Sequence, residues 1–397
     1  MPERVKNRLF VRRKARRTRT RLRVPIAAAP GGGRLRIALR VSGGLGDFIV
    51  IARFIRDLAA ACEEFEFDVF ATNPKVAAFA FSLVSGYGAT FEEFLFRRSL
   101  GGYDLALIAN QTVLFDDASA RWDRIASYPL LARALHRMER VRADGLEIFV
   151  ERHPYFDGFM ARRAVYMNES RRTFLHHMAG LEYKGDRLVV PAVIPKEFPV
   201  RGPFVTVHNG FDTSVKIHGG SGRHTKCWPH FTELVALLKE EFPALPIVQL
   251  GSTTSEPIPG VGVDLIDKTS FPEVAAILAA SAFHFDNESG LVHLAAAQGT
   301  MSAVMFGPTP VDFFSYPGNV NVAPEFCGGC WWTVPDWMDA CPRGFDNPLC
   351  LRSTSALRVM NLVRLHLAGR LKAPAAVGSL PVAGLMEGAA SHEAQSR

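Results

Sequence analysis

The sequence predicts an α/β protein built from two tandem β/α units that face each other across a cleft. Three observations carry that reading: a strand, glycine loop and helix pattern over residues 36–58, a proline-punctuated break at 191–203, and a second β/α series that starts at Phe204. With 397 residues and 48% hydrophobic content, the chain can bury two cores.

The first unit opens with the apolar run Arg36-Ile-Ala-Leu-Arg-Val41 and turns at Ser42-Gly-Gly-Leu-Gly-Asp47. Phe48, Ile51, Ala52, Ile55 and Leu58 then recur at helical spacing, so this is a strand feeding a helix. Strands are expected again at Phe67–Ala71 and Tyr103–Ala109, and a long helix at Phe156–Leu181. Pro191, Pro195, Pro199 and Pro203 exclude a helix and suit an extended linker.

The second unit begins with Phe204-Val-Thr-Val-His208. Pro229 is placed as the first residue of a helix running over Phe231–Phe242, and strands follow at Ile247–Leu250, Phe283–Phe285 and Ala303–Phe306. Ser353 is expected to cap a last helix carrying Leu357, Met360, Val363 and Leu367, with Gly369 as its stop. The domain plan is a basic arm at 1–34, a first unit at 35–190, a linker at 191–203, a second unit at 204–370 and a loose tail at 371–397.

The net charge of +7 is unevenly spread. Met1–Val24 carries eleven Lys or Arg residues against Glu3 alone, which leaves the rest of the chain at −3 and excludes a broadly basic nucleic-acid surface on the body. The arm itself admits three readings: a solvated tail, attraction to an anionic membrane surface, or nucleic-acid binding. Val24–Pro30 is too short and too broken by proline for a secretory signal, and no stretch has the length of a spanning helix. A cytoplasmic protein, peripheral on a membrane face, is the expectation.

Four of the six cysteines crowd into C-x2-C-x10-C-x8-C at Cys327, Cys330, Cys341 and Cys350, with Trp331, Trp332 and Trp337 between them. Thiolates at that spacing can close a tetrahedron around one metal ion, which would stabilise a local fold without an open position for chemistry. Reduced thiols and two disulfides are the alternatives.

Ligands of such sheets sit at the carboxyl ends of strands, where loops before helices present backbone N–H groups. Gly43, Gly44 and Gly46 allow the backbone to approach a ligand; Asp47 is either a helix N-cap or a general base facing the cleft. The glycine spacing is not the dinucleotide G-x-G-x-x-G fingerprint, which argues against a dehydrogenase. In the second unit, His224-Thr-Lys-Cys-Trp-Pro229 sets Thr225 and Lys226 before a helix, where an ammonium can neutralise a diphosphate leaving group. Asp286-Asn-Glu-Ser-Gly290 supplies a second anion cradle at Ser289 and Gly290, with His293 in the following turn as a further ligand or a structural histidine.

The loop Gly43–Asp47, the Lys226-x-Trp-Pro229 step, Lys268-Thr-Ser270, the run Asn287-Glu-Ser-Gly-Leu-Val-His-Leu294 and Phe306-Gly-Pro-Thr309 together resemble the heptosyltransferases of glycosyltransferase family 9 over about residues 35–365. The resemblance implies a GT-B fold of two Rossmann-like lobes and inverting transfer from a nucleotide-diphosphate sugar of the ADP-heptose type, with no catalytic divalent cation. It implies Asp47 as base, Lys226 on the donor phosphates, Glu256 near the donor ribose, and Ser289, Gly290 and His293 in the phosphate loop. The family's usual Asp in that loop is Glu288 here, an extra methylene that leaves the sugar open.

The cysteine segment is similar to the finger of heptosyltransferases that modify bacterial autotransporter proteins, which implies one structural Fe or Zn ion, ring-like homo-oligomers and a protein Ser/Thr acceptor. The wider family implies a glycolipid acceptor of lipopolysaccharide type. The competing class is a non-catalytic module that binds a nucleotide sugar or nucleic acid through the arm and the finger.

Overall fold

The computed structural model describes residues 33–62, 65–143, 157–211, 223–334 and 336–372. All of the basic arm except residues 33 and 34, the tail beyond Lys372 and the expected helix start at Phe156 lie outside the described residues.

Two parallel sheets form the frame, as the sequence pattern predicts. In the first, β1 (Leu35–Val41), β2 (Phe65–Ala71), β3 (Tyr87–Glu92), β4 (Leu105–Ala109) and β5 (Val113–Phe115) pair in the order β3-β2-β1-β4-β5, with only β5 antiparallel. In the second, β6 (Val205–His208), β7 (Ile247–Gly251), β8 (Val263–Ile266), β9 (Phe283–Asn287), β10 (Ser302–Met305) and β11 (Val320–Val322) pair in the wholly parallel order β11-β10-β9-β6-β7-β8. Each order reverses direction beside its first strand, between β1 and β4 and between β6 and β9. Such a switch point opens a crevice at the strand ends.

Helix α1 (Leu45–Cys62) follows β1 and is buried nearly all round, because it packs on its own sheet and on the second lobe. Helices α2 (Pro74–Phe81), α3 (Pro129–Ala143), α4 (Asp157–Tyr166) and α5 (Phe174–Ala179) complete the first lobe. Helices α6 (Phe231–Glu241), α7 (Phe271–Ala280), α8 (Gly290–Gln298) and α9 (Ala356–Lys372) flank the second. The segment over the four prolines has no helix or strand, and its start packs on the second lobe: Leu188 N–H donates to Ala297 and Val193 N–H to Pro272.

Several local expectations are corrected. The single helix expected to end at Leu181 is two, α4 and α5, because Asn168 takes φ +60 and closes α4 with Glu169 N–H on the Ala164 carbonyl and Asn168 N–H on Val165. Pro229 does not begin α6. Trp228 is pinned on both sides, its backbone N–H to Asn287 and its indole to the Thr354 carbonyl, so Pro229 and His230 are spent on a turn. Ser353 ends the Leu349–Arg352 turn, and Ser355 caps α9 instead through Arg358 N–H at 3.2 Å. Helix α9 runs through Gly369, where a Cβ would meet nothing, and turns Val359 inward while Leu357 is exposed.

Candidate active site at the facing switch points

The loop after β1 and the loop after β9 meet where the two helix N-termini abut. A Cβ on Gly46 would lie 2.5 Å from His293 Cδ2, and one on Gly290 would lie 2.9 Å from Leu45 Cβ and 3.1 Å from the Gly46 nitrogen. Both glycines are therefore required by the closeness of α1 and α8, a role that spacing alone does not reveal. Gly43 turns with φ +113 against the Asp47 carboxylate.

Asp47 is the third residue of α1 and not its N-cap. Its Oδ2 reaches back to accept from Gly44 N–H at 3.0 Å, the acidic half of a capping box. Its Oδ1 accepts from Arg171 Nη2 at 2.8 Å and from Gln111 Nε2 at 3.1 Å. Arg171 is 1% exposed; it also donates to the Asn110 carbonyl, and its backbone N–H donates to Phe313 in the second lobe. A buried cation thus holds the Asp47 carboxylate at the cleft, and a second guanidinium nitrogen, Nη1, is buried without a protein partner.

Across the cleft, Lys226 Nζ lies 3.3 Å from Glu288 Oε2 and 6.0 Å from the centre of the Trp337 ring. His293 Nε2 lies 3.6 Å from Glu288 Oε1. Burial opposes the charge on Glu288, but Lys226 and His293 more than offset it and hold the carboxyl down at about 2. His293 Nδ1 meets the Tyr316 hydroxyl at 2.7 Å, and that hydroxyl accepts from Arg53 Nη1 at 2.6 Å. Arg53 rises from α1, fully buried, and also donates to the His293 carbonyl at 3.1 Å. A guanidinium only donates, so the Tyr316 oxygen accepts from Arg53.

Of the remaining residues singled out from sequence, Thr225 is buried and donates to the Met338 carbonyl at 2.7 Å, and so fastens the Lys226 turn to the cysteine segment. Ser289 caps α8 through Leu291 N–H and donates to Asp286 at 2.6 Å. Glu256 is exposed in the loop after β7, its carbonyl accepting from Asn209 and Gln249. Gly44 supplies the N–H that Asp47 accepts.

Sequence reasoning missed the partners. Arg171 and Arg172 fall among the apolar positions of the helix expected over Phe156–Leu181, which gives them no role of their own, and Tyr316 stands in an undistinguished loop. Arg53 did carry a signal, a lone cation among Phe48, Ile49, Ile51, Phe54 and Ile55. At the second switch point, His208 ends β6 and its Nδ1 meets Asp286 Oδ1 at 2.7 Å, with His284 Nε2 at 3.1 Å from Oδ2. Burial opposes the Asp286 charge, and His208 followed by His284 outweighs it, holding the carboxyl below its ordinary range.

The cysteine segment backs onto this site. Gly329 N–H donates to Gly307 and Trp331 N–H to Pro308, on the loop after β10. The four thiols are free, and those of Cys327, Cys330 and Cys341 all act on Cys350, which burial and then these neighbours push up to about 12. Among the described residues no group of three or more His, Cys, Asp or Glu side chains is arranged to hold a metal ion, so the finger is a cluster of thiols here. No described helix is long and apolar enough to cross a membrane.

Residues 208–324 match the family model glycosyltransferase family 9 (heptosyltransferase). No curated protein matches the chain. Among solved structures, TibC of enterotoxigenic E. coli H10407, a dodecameric iron-containing heptosyltransferase seen with ADP-D-β-D-heptose, is 13% identical, with 85% of this chain covering 77% of that one at a TM-score of 0.54. A family 9 glycosyl transferase from Veillonella parvula DSM 2008 is 14% identical, with 86% of this chain covering 99% of that one at 0.51. The E. coli ADP-heptose LPS heptosyltransferase II is 17% identical, with 84% covering 99% at 0.50. At such identities the likeness establishes the two-lobed GT-B-like fold, while the family match, over residues 208–324 within the second lobe, supports glycosyltransferase activity.

Proposed function

From a heptosyltransferase-type family 9 domain at 208–324, we propose that the chain transfers a heptose or related sugar, with inversion, from an ADP-heptose type donor. The observation that carries this is the opposition of Asp47, held by Arg171, to Lys226 across abutting helix N-termini. Asp47 accepts the proton of an acceptor hydroxyl as that oxygen bonds to the anomeric carbon from one face. On the other face the bond to the diphosphate oxygen breaks, and its electron pair leaves with the nucleotide. Lys226 and the positive end of α8 stabilise the charge that develops there. Glu288 occupies Lys226 until the diphosphate competes for it, and His293 steadies Glu288.

Four thiolates of Cys327, Cys330, Cys341 and Cys350 would hold one Fe or Zn ion, whose chemistry is structural. The four thiols are not arranged as a metal site in this structure, but they lie close enough to raise the cost of ionising Cys350, which a bound cation would relieve. TibC, which contains iron and is dodecameric, supports the same metal and a homo-oligomer here. The acceptor is a protein Ser/Thr or a lipopolysaccharide-type glycolipid. The protein works in the cytoplasm, with arm 1–34 drawn to the inner membrane face. The deciding experiment incubates purified protein with ADP-heptose and follows ADP release and labelled sugar. Release abolished by Asp47→Asn supports the reading; donor binding with no release under any acceptor supply would make the chain a binding module.

A further inference from the structure

Gln111 stands at the first switch point, in the loop that turns β4 into β5 beside the loop after β1: Ser42 N–H donates to the Ala109 carbonyl at 3.4 Å and Asn110 N–H to Thr112 at 2.9 Å. Only 6% of Gln111 is exposed, and its Nε2 donates to Asp47 Oδ1 at 3.1 Å. An ionised carboxylate only accepts, so the amide turns its nitrogen to Asp47 and its oxygen away. That oxygen, Oε1, is buried and has no hydrogen-bond partner among the described residues. An unpaired buried amide oxygen costs stability, and a leucine or methionine would fill the place without that cost. The amide is therefore explained by what its nitrogen reaches.

Each carboxylate oxygen has about two acceptor positions. Oδ1 of Asp47 spends both, one on Gln111 and one on Arg171 Nη2 at 2.8 Å, whereas Oδ2 takes a single bond, from Gly44 N–H at 3.0 Å. A Cβ on Gly43 would run into Oδ2, so glycine there keeps that oxygen uncovered. The Asp47 side chain is 23% exposed against 1% for Arg171, which sets the open position toward the cleft. Resting on the transferase reading, we infer that Gln111 is a positioning residue: with Arg171 it saturates Oδ1 and leaves Oδ2 as the atom that takes the acceptor proton. The acceptor O–H bond breaks and its proton passes to Oδ2. The oxygen's electron pair bonds the anomeric carbon, and the diphosphate oxygen leaves with the pair of the bond that breaks. The acceptor hydroxyl thus approaches from the Gly43–Gly44 side of the carboxylate.

The test follows ADP release from ADP-heptose at about pH 8, with water as the acceptor, beside calorimetric titration of ADP into the full chain. Gln111→Met removes the donor at similar volume and should lower kcat about tenfold to a hundredfold, while KM for ADP-heptose and the affinity for ADP stay as in wild type. Gln111→Glu keeps the shape and sets a second carboxylate against Asp47, so its kcat should fall below that of Gln111→Met. A role in packing alone gives the opposite order, with the isosteric glutamate nearest wild type. That opposite order, an unchanged or raised kcat in Gln111→Met, or a loss of ADP affinity in step with kcat overturns the assignment and leaves the transferase reading in place. A wild-type protein that binds ADP but releases none from ADP-heptose removes the transferase reading, and this assignment with it.

Discussion

Arg53 crosses from the first lobe to donate to the Tyr316 hydroxyl of the second at 2.6 Å, and the same hydroxyl meets His293 Nδ1 at 2.7 Å. The lobes are thus joined by a fully buried cation whose partners, the Tyr316 hydroxyl and the His293 carbonyl, both belong to the second lobe. Interlobe geometry and the state of His293 are set by one hydroxyl.

Tyr316→Phe should therefore do two things. It strands a buried guanidinium nitrogen, which costs about 1–3 kcal/mol in a chemical or thermal unfolding experiment. It also frees His293 to turn away from Glu288, so nucleotide-diphosphate affinity should fall. A variant with unchanged stability and unchanged ADP affinity would show that the hydroxyl holds neither.

Asp47→Asn should lower transfer by ~10² to 10⁴, since an amide cannot take up the acceptor proton. The structure adds a second consequence. Asp47 accepts from Gly44, Gln111 and Arg171, whereas an amide offers one oxygen, so Arg171 loses its charge partner and stability falls by about 3 kcal/mol or more. Turnover at the wild-type level would leave Asp47 a capping residue only. Calorimetry with ADP should show donor binding largely kept.

Much of the frame was legible because its signals are local. The β1–loop–α1 step and the β6 and β9 strands follow from apolar runs ended by Gly, Ser or Asp, and these place Asp47 and Glu288 at strand ends. Strands β3, β8 and β11 were not legible: Tyr87–Glu92, Val263–Ile266 and Val320–Val322 are half exposed at or near sheet edges, so burial does not make them uniformly apolar. The partners of site residues were illegible for a different reason. Arg171 lies 124 positions from Asp47 and Tyr316 lies 263 from Arg53; the first pairing is decided by how the first lobe closes on itself, the second by the lobes meeting.

Acid should destabilise the protein below about pH 4.5. Burial opposes the charge of Asp57, but His176, Arg56 and the Lys184 N–H outweigh it and lower the carboxyl from 3.8 to about 2; Glu288 falls from 4.5 to about 2. Both folded carboxyls ionise more readily than the unfolded ones, so the unfolded chain takes up protons first as pH falls. Their stabilisation, on the order of 2 kcal/mol each, is complete above the unfolded values and lost as pH falls toward 2. Lys226→Ala removes the main favourable charge on Glu288 and raises its folded value toward or past the unfolded one, so the variant should be less stable at neutral pH and lose less stability than wild type as pH falls from 4.5 to 2. An identical limb in urea melts across pH 2–6 would contradict the assigned pair. The same variant should lose ADP affinity and rate together.

Cys341→Ser tests how the finger serves the site. Thr225 donates to Met338 and Trp228 to Thr354, so both sides of Lys226 are tied to the chain between and just beyond the cysteines. If one metal closes Cys327, Cys330, Cys341 and Cys350, losing a ligand loosens those ties. Metal content should fall from one per chain toward zero, the melting temperature should drop, and ADP affinity should weaken, while the residual rate at saturating donor keeps its dependence on Asp47. Cys62→Ser and Cys227→Ser should leave metal content untouched, since Cys62 lies in α1 and Cys227 beside Lys226, both outside the cluster. Full metal content in Cys341→Ser, or none in wild type prepared without chelator, would remove the metal; normal ADP affinity in a metal-free Cys341→Ser protein would uncouple the finger from Lys226.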